Sequence, residues 1–352
     1  MSDNFTVHSA VHDYTVNFVD DCIAPLTDVM NSSDLLLIDA QVISLHESRL
    51  QSILDKFPHI VIQATEEKKS YIELVPIFEK LIQQGFRKNN KIVAIGGGIT
   101  QDIATFIAAN IYRGVEWYFF PTTLLAQADS CIGGKASINF GAYKNLLGNF
   151  YPPRKIFIDL SFLDTLPRKE MVSGLGEMTH FYFVSGRKDF ELMRQSYTKS
   201  FEDKKLLETL IHRNLSIKKA TIEIDEFDRK ERLVFNYGHS FGHAIESVTG
   251  YRVPHGIAVS HGMDIANYVS MKMGLIDENQ YTEMRQVLKF NWEEIPLGEI
   301  DLDAFINALR KDKKNIGSET RVILTRGLGD MFITSIDIDG QAQEWIREYF
   351  AL

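Results

Sequence analysis

The sequence predicts an α/β N-terminal domain over residues 1–167 and a mainly α-helical C-terminal domain over residues 168–352. First, short β-branched apolar runs alternate with helical patterns in the first half of the chain. Second, strand-like runs vanish after Pro167 and amphipathic helical patterns dominate. Third, a chain of 352 residues is too long for one ordinary core. The predicted junction between the domains contains three prolines that interrupt regular secondary structure, Pro152, Pro153 and Pro167.

Five short apolar runs in the first half predict buried strands, with a helical pattern between the second and third runs from Tyr71 to Gln84. Strands that alternate with helices favour a mostly parallel sheet covered by helices, an architecture that commonly binds nucleotides. In the second half, Leu206 to Ile224 and Ala258 to Met273 predict amphipathic helices. The predicted strands are Leu35 to Ile38, His59 to Ile62, Lys91 to Ile95, Trp117 to Phe120 and Ile156 to Ile158.

The composition restricts the partners. A net charge of -9 argues against a general nucleic-acid binder, so the basic residues are expected to serve a small anionic ligand. The widely separated Cys22 and Cys131 support no disulfide framework and fit a reducing cytosol. The apolar runs are far shorter than the roughly 20 residues that cross a bilayer. We therefore expect a cytoplasmic protein that binds neither membrane nor nucleic acid.

The segment from Phe235 to His243 resembles a metal site. His239 and His243 are four residues apart, so they share one face of a helix, and His255 follows twelve residues later. A carboxylate such as Glu177 would complete a ligand set that suits zinc acting as a Lewis acid on a hydroxyl or carbonyl. The alternative is that the pair consists of ordinary surface or core histidines. The neighbouring Lys218, Arg232 and Asn236 favour the site.

Two stretches of the first half are typical of phosphate binding. Gly96, Gly97 and Gly98 follow the third predicted strand and precede a helical pattern, so backbone amides there can approach a pyrophosphate. Hydroxyls, glycine turns and lysines then follow in the segment 121–145. A tight structural turn and a polar loop with solvated lysines are the alternatives. Lys313 and Lys314 also fit ordinary surface charge.

Four motifs together resemble the signatures of the 3-dehydroquinate synthase family, within the sugar phosphate cyclases. They are GGGITQD, RGVEWYFFPTTLLAQADSCIGGK, KNLLGNFYPP and FNYGHSFGHAIE, and the likeness runs from about Asp39 to about Leu324. The resemblance implies a Rossmann-like NAD-binding N-terminal domain, a helical metal-binding C-terminal domain and a homodimer. It also implies a carbon-oxygen lyase of the shikimate pathway, and thus of aromatic amino acid biosynthesis.

The resemblance assigns roles residue by residue. It makes Glu177, His239 and His255 the ligands of Zn²⁺ or Co²⁺, which turns His243 into a site residue near the phosphate and the reacting hydroxyls. It places Lys218 and Arg232 at the substrate carboxylate and Arg113 in the neighbouring subunit's site. It assigns phosphate binding to Lys135, Asn145, Asn236 and a lysine of the 313–314 pair. The implied NAD contacts are Asp39, Glu66, Lys69, Gly97, Gly98, Asp102, Thr122, Thr123, Asp129, Ser130, Lys144 and Thr165, with Asp129 also meeting the substrate hydroxyls.

The implied reaction converts 3-deoxy-D-arabino-heptulosonate 7-phosphate to 3-dehydroquinate and phosphate. It comprises transient oxidation by NAD, phosphate elimination, re-reduction, ring opening and an aldol closure. The presence of both Arg232 and Asn236 favours a substrate with a carboxylate, because a guanidinium binds a carboxylate with two hydrogen bonds.

The chain departs from the family pattern at His180, where the family usually has a lysine three residues after the glutamate ligand. At this spacing the imidazole shares a helical face with Glu177, as an extra ligand or a titratable replacement. Thr65 before Glu66 and Ile257 after the His-Gly pair are lesser departures. The alternatives are a specialised cyclase, such as an aminodehydroquinate synthase, a metal-dependent NAD alcohol dehydrogenase, and a non-catalytic regulator.

Overall fold

The computed structural model describes residues 3–141, 143–292, 296–311 and 320–352. The chain divides into two compact units. The first comprises Met1–Leu166 and Lys218–Phe227, and the second comprises Pro167–Ile217 and Asp228–Leu352. The predicted division at 167/168 therefore differs from these units in one segment, because Lys218–Phe227 belongs with the first unit. As a division between NAD binding and metal binding, it stays a prediction.

A seven-stranded sheet forms the centre of the first unit, in the order β1-β2-β9-β6-β5-β3-β4. Every neighbouring pair is parallel except β1 and β2. The predicted parallel sheet is thus confirmed. The strands are β1 Phe5–Val7, β2 Tyr14–Phe18, β3 Leu35–Asp39, β4 His59–Ile62, β5 Ile92–Gly96, β6 Trp117–Pro121 and β9 Lys155–Ile158.

All five strands predicted from apolar runs are present, and most residues of the central strands β3, β5 and β6 are buried. Leu36, Ile38, Val93, Ile95 and Phe120 share one apolar cluster with residues of the flanking helices. This burial on both faces explains why these strands appear in the sequence as continuous apolar runs instead of alternating patterns. The helices of this unit are α1 Ile23–Val29, α2 Ala40–Lys56, α3 Tyr71–Gln83 and α4 Gly98–Asn110.

Helices dominate the second unit, as predicted. The two predicted helical stretches correspond to α7 Lys204–Ile222, which runs from this unit into the first, and α9 His255–Lys272, most of which is buried. No helix in the described part of the chain is long and apolar enough to span a membrane. The other helices are α5 Arg168–Ser185, α6 Arg187–Ser196, α8 His239–Val248, α10 Glu278–Trp292, α11 Leu302–Arg310 and α12 Gln341–Phe350.

Two antiparallel hairpins were not predicted. In the second unit, β10 Thr320–Thr325 pairs with β11 Met331–Ile336, so the expectation that strands vanish after Pro167 was wrong in this segment. In the first unit, β7 Lys135–Phe140 pairs with β8 Tyr143–Phe150. The β7–β8 strands carry lysines and asparagines, and this polar composition hides the strand pattern.

A buried histidine in α9 predicts an acid-dependent loss of stability. The ring of His261 stacks on Trp292, with centroids 4.3 Å apart, and Nε2 has no hydrogen-bond partner among the described residues. Burial, assisted by the charge of Arg285, lowers the pKa of His261 to about 3 from the ordinary 6.5. The unfolded chain therefore binds a proton between these pH values that the folded chain does not, so this stabilisation is complete above pH 6.5 and is lost as the pH falls.

We expect His261→Phe to lose less stability on acidification than the wild type. Between pH 6.5 and roughly pH 5, linkage assigns about 2 kcal/mol of the wild-type loss to this group. Urea unfolding of both proteins at the two pH values measures the difference. A variant that loses as much free energy of unfolding as the wild type over this interval would contradict the assignment.

Candidate functional site

Three side chains of the second unit form a group that is suited to a metal ion. Glu177 lies in α5, and His239 and His255 are the first residues of α8 and α9. Their ligand atoms all lie within 4.8 Å of one another. Nε2 of His239 is 3.5 Å from Oε1 of Glu177, and Nε2 of His255 is 3.5 Å from Oε2. Sequence reasoning therefore named three residues that the fold brings together from three helices.

The tautomers of the two histidines favour metal binding. Nδ1 of His239 lies 3.3 Å from the carbonyl oxygen of Tyr237, and Nδ1 of His255 lies 3.2 Å from Oε1 of Glu246. An acceptor at Nδ1 holds the proton there, which leaves the lone pair of Nε2 directed at Glu177. Two ligands about 2.1 Å from a tetrahedral zinc are about 3.4 Å apart. The observed separations of 3.5 Å fit that geometry.

The electrostatics of Glu177 also fit a cation. The residue is 4% exposed, and Oε2 accepts no hydrogen bond from any described residue. Burial alone would raise the pKa of Glu177, but without a metal ion the positive charge of protonated His239, His180 and His255 holds it well below its usual range. The buried carboxylate is thus ionised, and it needs positive charge nearby.

Glycines bring α5 and α9 close enough for Glu177 to meet His255. A Cβ atom on Gly256 would lie 1.8 Å from the carbonyl oxygen of Ser173, and one on Gly176 would lie 2.4 Å from the carbonyl oxygen of Gly256. The two backbones are therefore in direct contact, which no side chain at either position would allow. Each glycine directly precedes or follows a member of the metal group.

Glycines also allow close backbone contact where α8 and α9 cross. A Cβ atom on Gly262 would lie 2.0 Å from the carbonyl oxygen of Gly238, which itself adopts a left-handed conformation with φ of 81°. Gly238 directly precedes α8, so its conformation sets where the helix begins and where His239 points.

Replacement of Gly256 by alanine should disrupt both packing and metal binding. The added methyl cannot avoid the Ser173 carbonyl unless α5 and α9 separate, and overpacking of this kind costs about 3 kcal/mol. We expect a lower melting temperature and weaker zinc affinity in competition with a chromogenic chelator. Gly98→Ala is the control, since its methyl would meet only Ser130 Oγ at 3.9 Å. Wild-type zinc affinity in Gly256→Ala would contradict the proposed role of this crossing.

A second group shares one member with the first. Ligand atoms of His243, Glu246 and His255 also lie within 4.8 Å of one another, and His243 is exposed. Glu246 was not among the residues predicted from the sequence. The spacing offered a signal, because Glu246 lies three residues after His243 and seven after His239, on one face of α8.

His180 lies beside the metal group. It is 1% exposed, its Nδ1 is 3.4 Å from Oε1 of Glu177, and its ring centroid is 5.4 Å from that of His239. The ring also packs on Phe181 and Phe235, at centroid distances of 3.9 and 5.9 Å. His180 thus borders the carboxylate from within α5, and its predicted catalytic role stays a prediction.

Arg232 and Asn236 lie in a short 3-10 helix, Glu231–Asn236, that leads into α8. Arg232 is 4% exposed, and Nδ2 of Asn236 donates to the carbonyl oxygen of Leu233. Phe235 of this segment packs on Phe181 of α5, with ring centroids 4.6 Å apart. The predicted carboxylate residue and the metal group are therefore built into one packed region of the second unit.

In the first unit, the predicted cofactor residues follow the carboxyl ends of parallel strands. β3 pairs with both β4 and β5, so the chain reverses its direction of winding between β3 and β5. Gly97 precedes α4 at this switch point, and Asp39 ends β3 and caps α2. Open α/β sheets bind ligands in this crevice. A Cβ atom on Gly97 would lie 2.9 Å from Thr123 Cγ2, so a larger residue here would require the threonine side chain to move.

Four of the predicted residues form one polar network in the first unit. Nζ of Lys69 donates to Oδ2 of Asp102 at 3.1 Å and to Oδ1 of Asn145 at 3.0 Å, and it lies 3.7 Å from Oε2 of Glu66. Burial raises the pKa of Asp102, while Lys69 acts in the opposite direction. Asp102 also accepts hydrogen bonds from the backbone and hydroxyl of Ser137.

Asp129 and Lys218 meet within the same unit. Nζ of Lys218 donates to the carbonyl oxygen of Asp129 at 2.6 Å and lies 2.9 Å from its Oδ1. Asp129 belongs to a π-helical turn, Ala126–Ser130, of a kind that often marks functional sites. Ser130, the last residue of this turn, donates to the side chain of Gln101.

The remaining predicted residues differ in their exposure, and two of them lie outside the described part of the chain. Thr122 is buried, Lys135 is exposed, and Lys144 lies 3.9 Å from Glu66. Arg113 is exposed and adopts a left-handed backbone with φ of 63°. Thr165 contacts His46 through its hydroxyl. Lys313 and Lys314 lie outside the described residues.

Comparison with known proteins matches most of the chain to one family. Residues 59–173 match the family model of the 3-dehydroquinate synthase N-terminal domain, and residues 174–315 match that of the C-terminal domain. The 3-dehydroquinate synthase of Streptococcus pyogenes serotype M3 is 34% identical over 333 residues, which cover 92% of each chain.

Two solved sugar phosphate cyclases share the fold. A 2-deoxy-scyllo-inosose synthase, complexed with carbaglucose-6-phosphate, NAD⁺ and Co²⁺, superimposes with a TM-score of 0.85 at 25% identity, covering 98% of this chain and 100% of that one. The 2-epi-5-epi-valiolone synthase of Streptomyces hygroscopicus subsp. jinggangensis 5008, with NAD⁺ and Zn²⁺ bound, gives 0.83 at 25% identity, covering 96% and 97%.

Proposed function

The chain belongs to the 3-dehydroquinate synthase family, and we propose that it converts 3-deoxy-D-arabino-heptulosonate 7-phosphate to 3-dehydroquinate and inorganic phosphate. The observation that carries the proposal is the joint presence of the Glu177, His239 and His255 group and the buried Arg232 within one unit. A metal group alone suits many alcohol-handling enzymes. A buried guanidinium in the same unit is what a substrate with a carboxylate requires.

The cofactors of this reaction are NAD and one divalent cation, Zn²⁺ or Co²⁺. We assign the cation to Glu177, His239 and His255, because the three supply an N/O donor set with the separations of a tetrahedral site. We prefer this group to the one containing His243, since Glu177 is buried and ionised whereas His243 is exposed. When bound, the cation supplies a Lewis acid for substrate oxygens, and NAD supplies a reversible hydride acceptor.

We assign substrate binding and proton exchange to side chains of the protein. Lys218 and Arg232 hold the substrate carboxylate, with Asn236 and Asn145 at the phosphate. Lys218 also fixes Asp129, which we assign to the substrate hydroxyls and the cofactor. His243, exposed next to the metal group, is in a position to exchange protons with a substrate there. Lys135, Lys313 and Lys314 complete the proposed phosphate set.

The proposed NAD site comprises the residues at the carboxyl ends of the sheet strands. Gly97 and Gly98 allow the backbone to approach the pyrophosphate at the start of α4. The cofactor is also bound by Glu66, Lys69 and Asp102, which belong to the polar network. The other members of the proposed site are Asp39, Thr122, Thr123, Ser130, Lys144 and Thr165. We further propose a homodimer in which the exposed Arg113 serves the neighbouring subunit.

His180 favours a second candidate, a specialised cyclase that acts on another sugar phosphate. Its imidazole lies 3.4 Å from Glu177, at a position where the family usually has a lysine. Histidine is shorter than lysine and carries no fixed charge, so the substrate beside it can differ.

Phosphate release tests the proposal. The purified protein with NAD and zinc is given, in separate reactions, 3-deoxy-D-arabino-heptulosonate 7-phosphate, sedoheptulose 7-phosphate and glucose 6-phosphate. We expect release from the first substrate without accumulation of NADH. Release from one of the others alone would establish the specialised cyclase, and NADH formation without phosphate release would indicate an alcohol dehydrogenase.

A further inference from the structure

Asn139 contacts proposed cofactor and phosphate residues, although it belongs to none of the recognised motifs. It is the fifth residue of β7 and is 7% exposed. Its backbone amide donates to the carbonyl oxygen of Lys69 at 2.9 Å. Its side chain makes three further hydrogen bonds, two with Glu66 and one with Asn145. Asn139 thus contacts three of the proposed site residues, Glu66 and Asn145 through its side-chain amide and Lys69 through its backbone.

The three side-chain contacts determine which way the amide points. Nδ2 of Asn139 donates to the carbonyl oxygen of Glu66 at 3.1 Å and to its Oε1 at 2.9 Å, whereas Oδ1 accepts from the backbone amide of Asn145 at 2.8 Å. A flipped amide would face oxygen with oxygen and N–H with N–H at all three contacts. Asparagine satisfies this arrangement because it combines donors with an acceptor on one short side chain.

Asn145 needs this support because of its backbone. It adopts a left-handed conformation with φ of 51°, which is uncommon for residues other than glycine. The contact with Asn139 Oδ1 holds its backbone amide, and Nζ of Lys69 holds its side-chain oxygen. Lys69 is itself anchored through its carbonyl oxygen to Asn139. Both supports of Asn145 therefore lead back to the same residue.

We propose that Asn139 is a positioning residue whose side chain holds Glu66 in place for the nicotinamide cofactor and Asn145 in place for the substrate phosphate. The inference rests on the proposed function, since it concerns the geometry of that site. Asn139 itself touches neither ligand in this account. It acts through the two sides of its amide, the donor side toward Glu66 and the acceptor side toward Asn145.

Two variants separate the two sides of the amide. Asn139→Ala removes all three side-chain contacts, so we expect about a 10-fold rise in both the Kd for NAD and the KM for the sugar phosphate. Asn139→Asp retains the acceptor toward Asn145 but sets an oxygen against two oxygens of Glu66. It should therefore raise the Kd for NAD at least as much, while the KM changes less than in Asn139→Ala.

Asn90→Ala is the matched control. Asn90 is also a buried asparagine of the first unit, at 6% exposure, and its side chain bonds Arg87 and Ser33, neither of which is a proposed site residue. This variant should lower the melting temperature without a change in the Kd for NAD.

The measurements are the Kd for NAD by calorimetry, the KM and kcat for phosphate release, and the melting temperature of each protein. A Kd in Asn139→Ala and Asn139→Asp equal to that of Asn90→Ala would overturn the inference while leaving the proposed function intact. Changes that follow the melting temperature equally in all three variants would also overturn it, since a purely structural role predicts them. A wild-type protein that binds no NAD would overturn the proposed function and the inference together.

Discussion

Glu177→Gln should lose the divalent cation and reduce phosphate release on the order of 10³-fold. The substitution keeps the volume of the side chain but removes the charge that opposes the cation and replaces one ligand oxygen with an N–H donor. A Lewis acid contributes several kcal/mol to the stabilisation of developing charge, and about 4 kcal/mol corresponds to this factor. Zinc content after dialysis and the rate of phosphate release measure the two effects.

Glu299→Gln is the control for this prediction, because it removes one exposed carboxylate from the same unit. It should retain the zinc content and the rate of the wild type. If Glu177→Gln keeps one equivalent of zinc and His243→Ala loses it, the cation belongs to the His243, Glu246 and His255 group instead.

Arg232→Ala should reduce kcat/KM for the acid substrate by a factor that corresponds to about 2–5 kcal/mol. The side chain is buried, so its removal leaves the substrate carboxylate without its paired donor. Arg232→Lys should restore only part of the loss, because an ammonium group cannot form the two parallel hydrogen bonds of a guanidinium.

A sugar phosphate without a carboxylate, such as sedoheptulose 7-phosphate, provides the internal comparison. If Arg232 binds the carboxylate, the variant should lose its preference for the acid over this substrate. Equal losses with both substrates would mean that Arg232 supports the fold of the segment Glu231–Asn236, and unchanged kinetics with the acid would remove the carboxylate assignment.

The parallel sheet could be predicted because its central strands are buried on both faces. Residues such as Leu36, Ile38, Val93 and Ile95 form continuous apolar runs between polar turns, which is a strong signal in a single sequence. The histidine spacing was also informative, because residues four apart, such as His239 and His243, share one face of any helix. Glu177 and His255 were harder, because their meeting depends on the crossing of α5 and α9.

That crossing cannot be derived from local pattern. Gly176 and Gly256 each look like an ordinary helical glycine in the sequence, and only the contact between their backbones shows why a larger residue is excluded. Glu177 was a candidate carboxylate from the sequence pattern, but the family resemblance was needed to choose it, with His239 and His255, over a set that includes His243. Local sequence patterns record the faces of an element but not which element packs against it.

The hairpin of β7 and β8 was missed because its polar strands serve the proposed site. Asn139 and Asn145 disfavour strands by propensity, and Asn145 is left-handed within β8. The side-chain network that holds them compensates for this local conflict. Conflicts between local propensity and the final fold are expected at functional sites, where selection acts on chemistry before stability.

The most direct test of the proposed reaction is the number of phosphates released per NAD when the cofactor is limiting. The purified protein with zinc and 3-deoxy-D-arabino-heptulosonate 7-phosphate should release many phosphates per NAD, with no net NADH, because each hydride returns to the substrate. Release that stops at one phosphate per NAD, or NADH that accumulates in step with product, would contradict it.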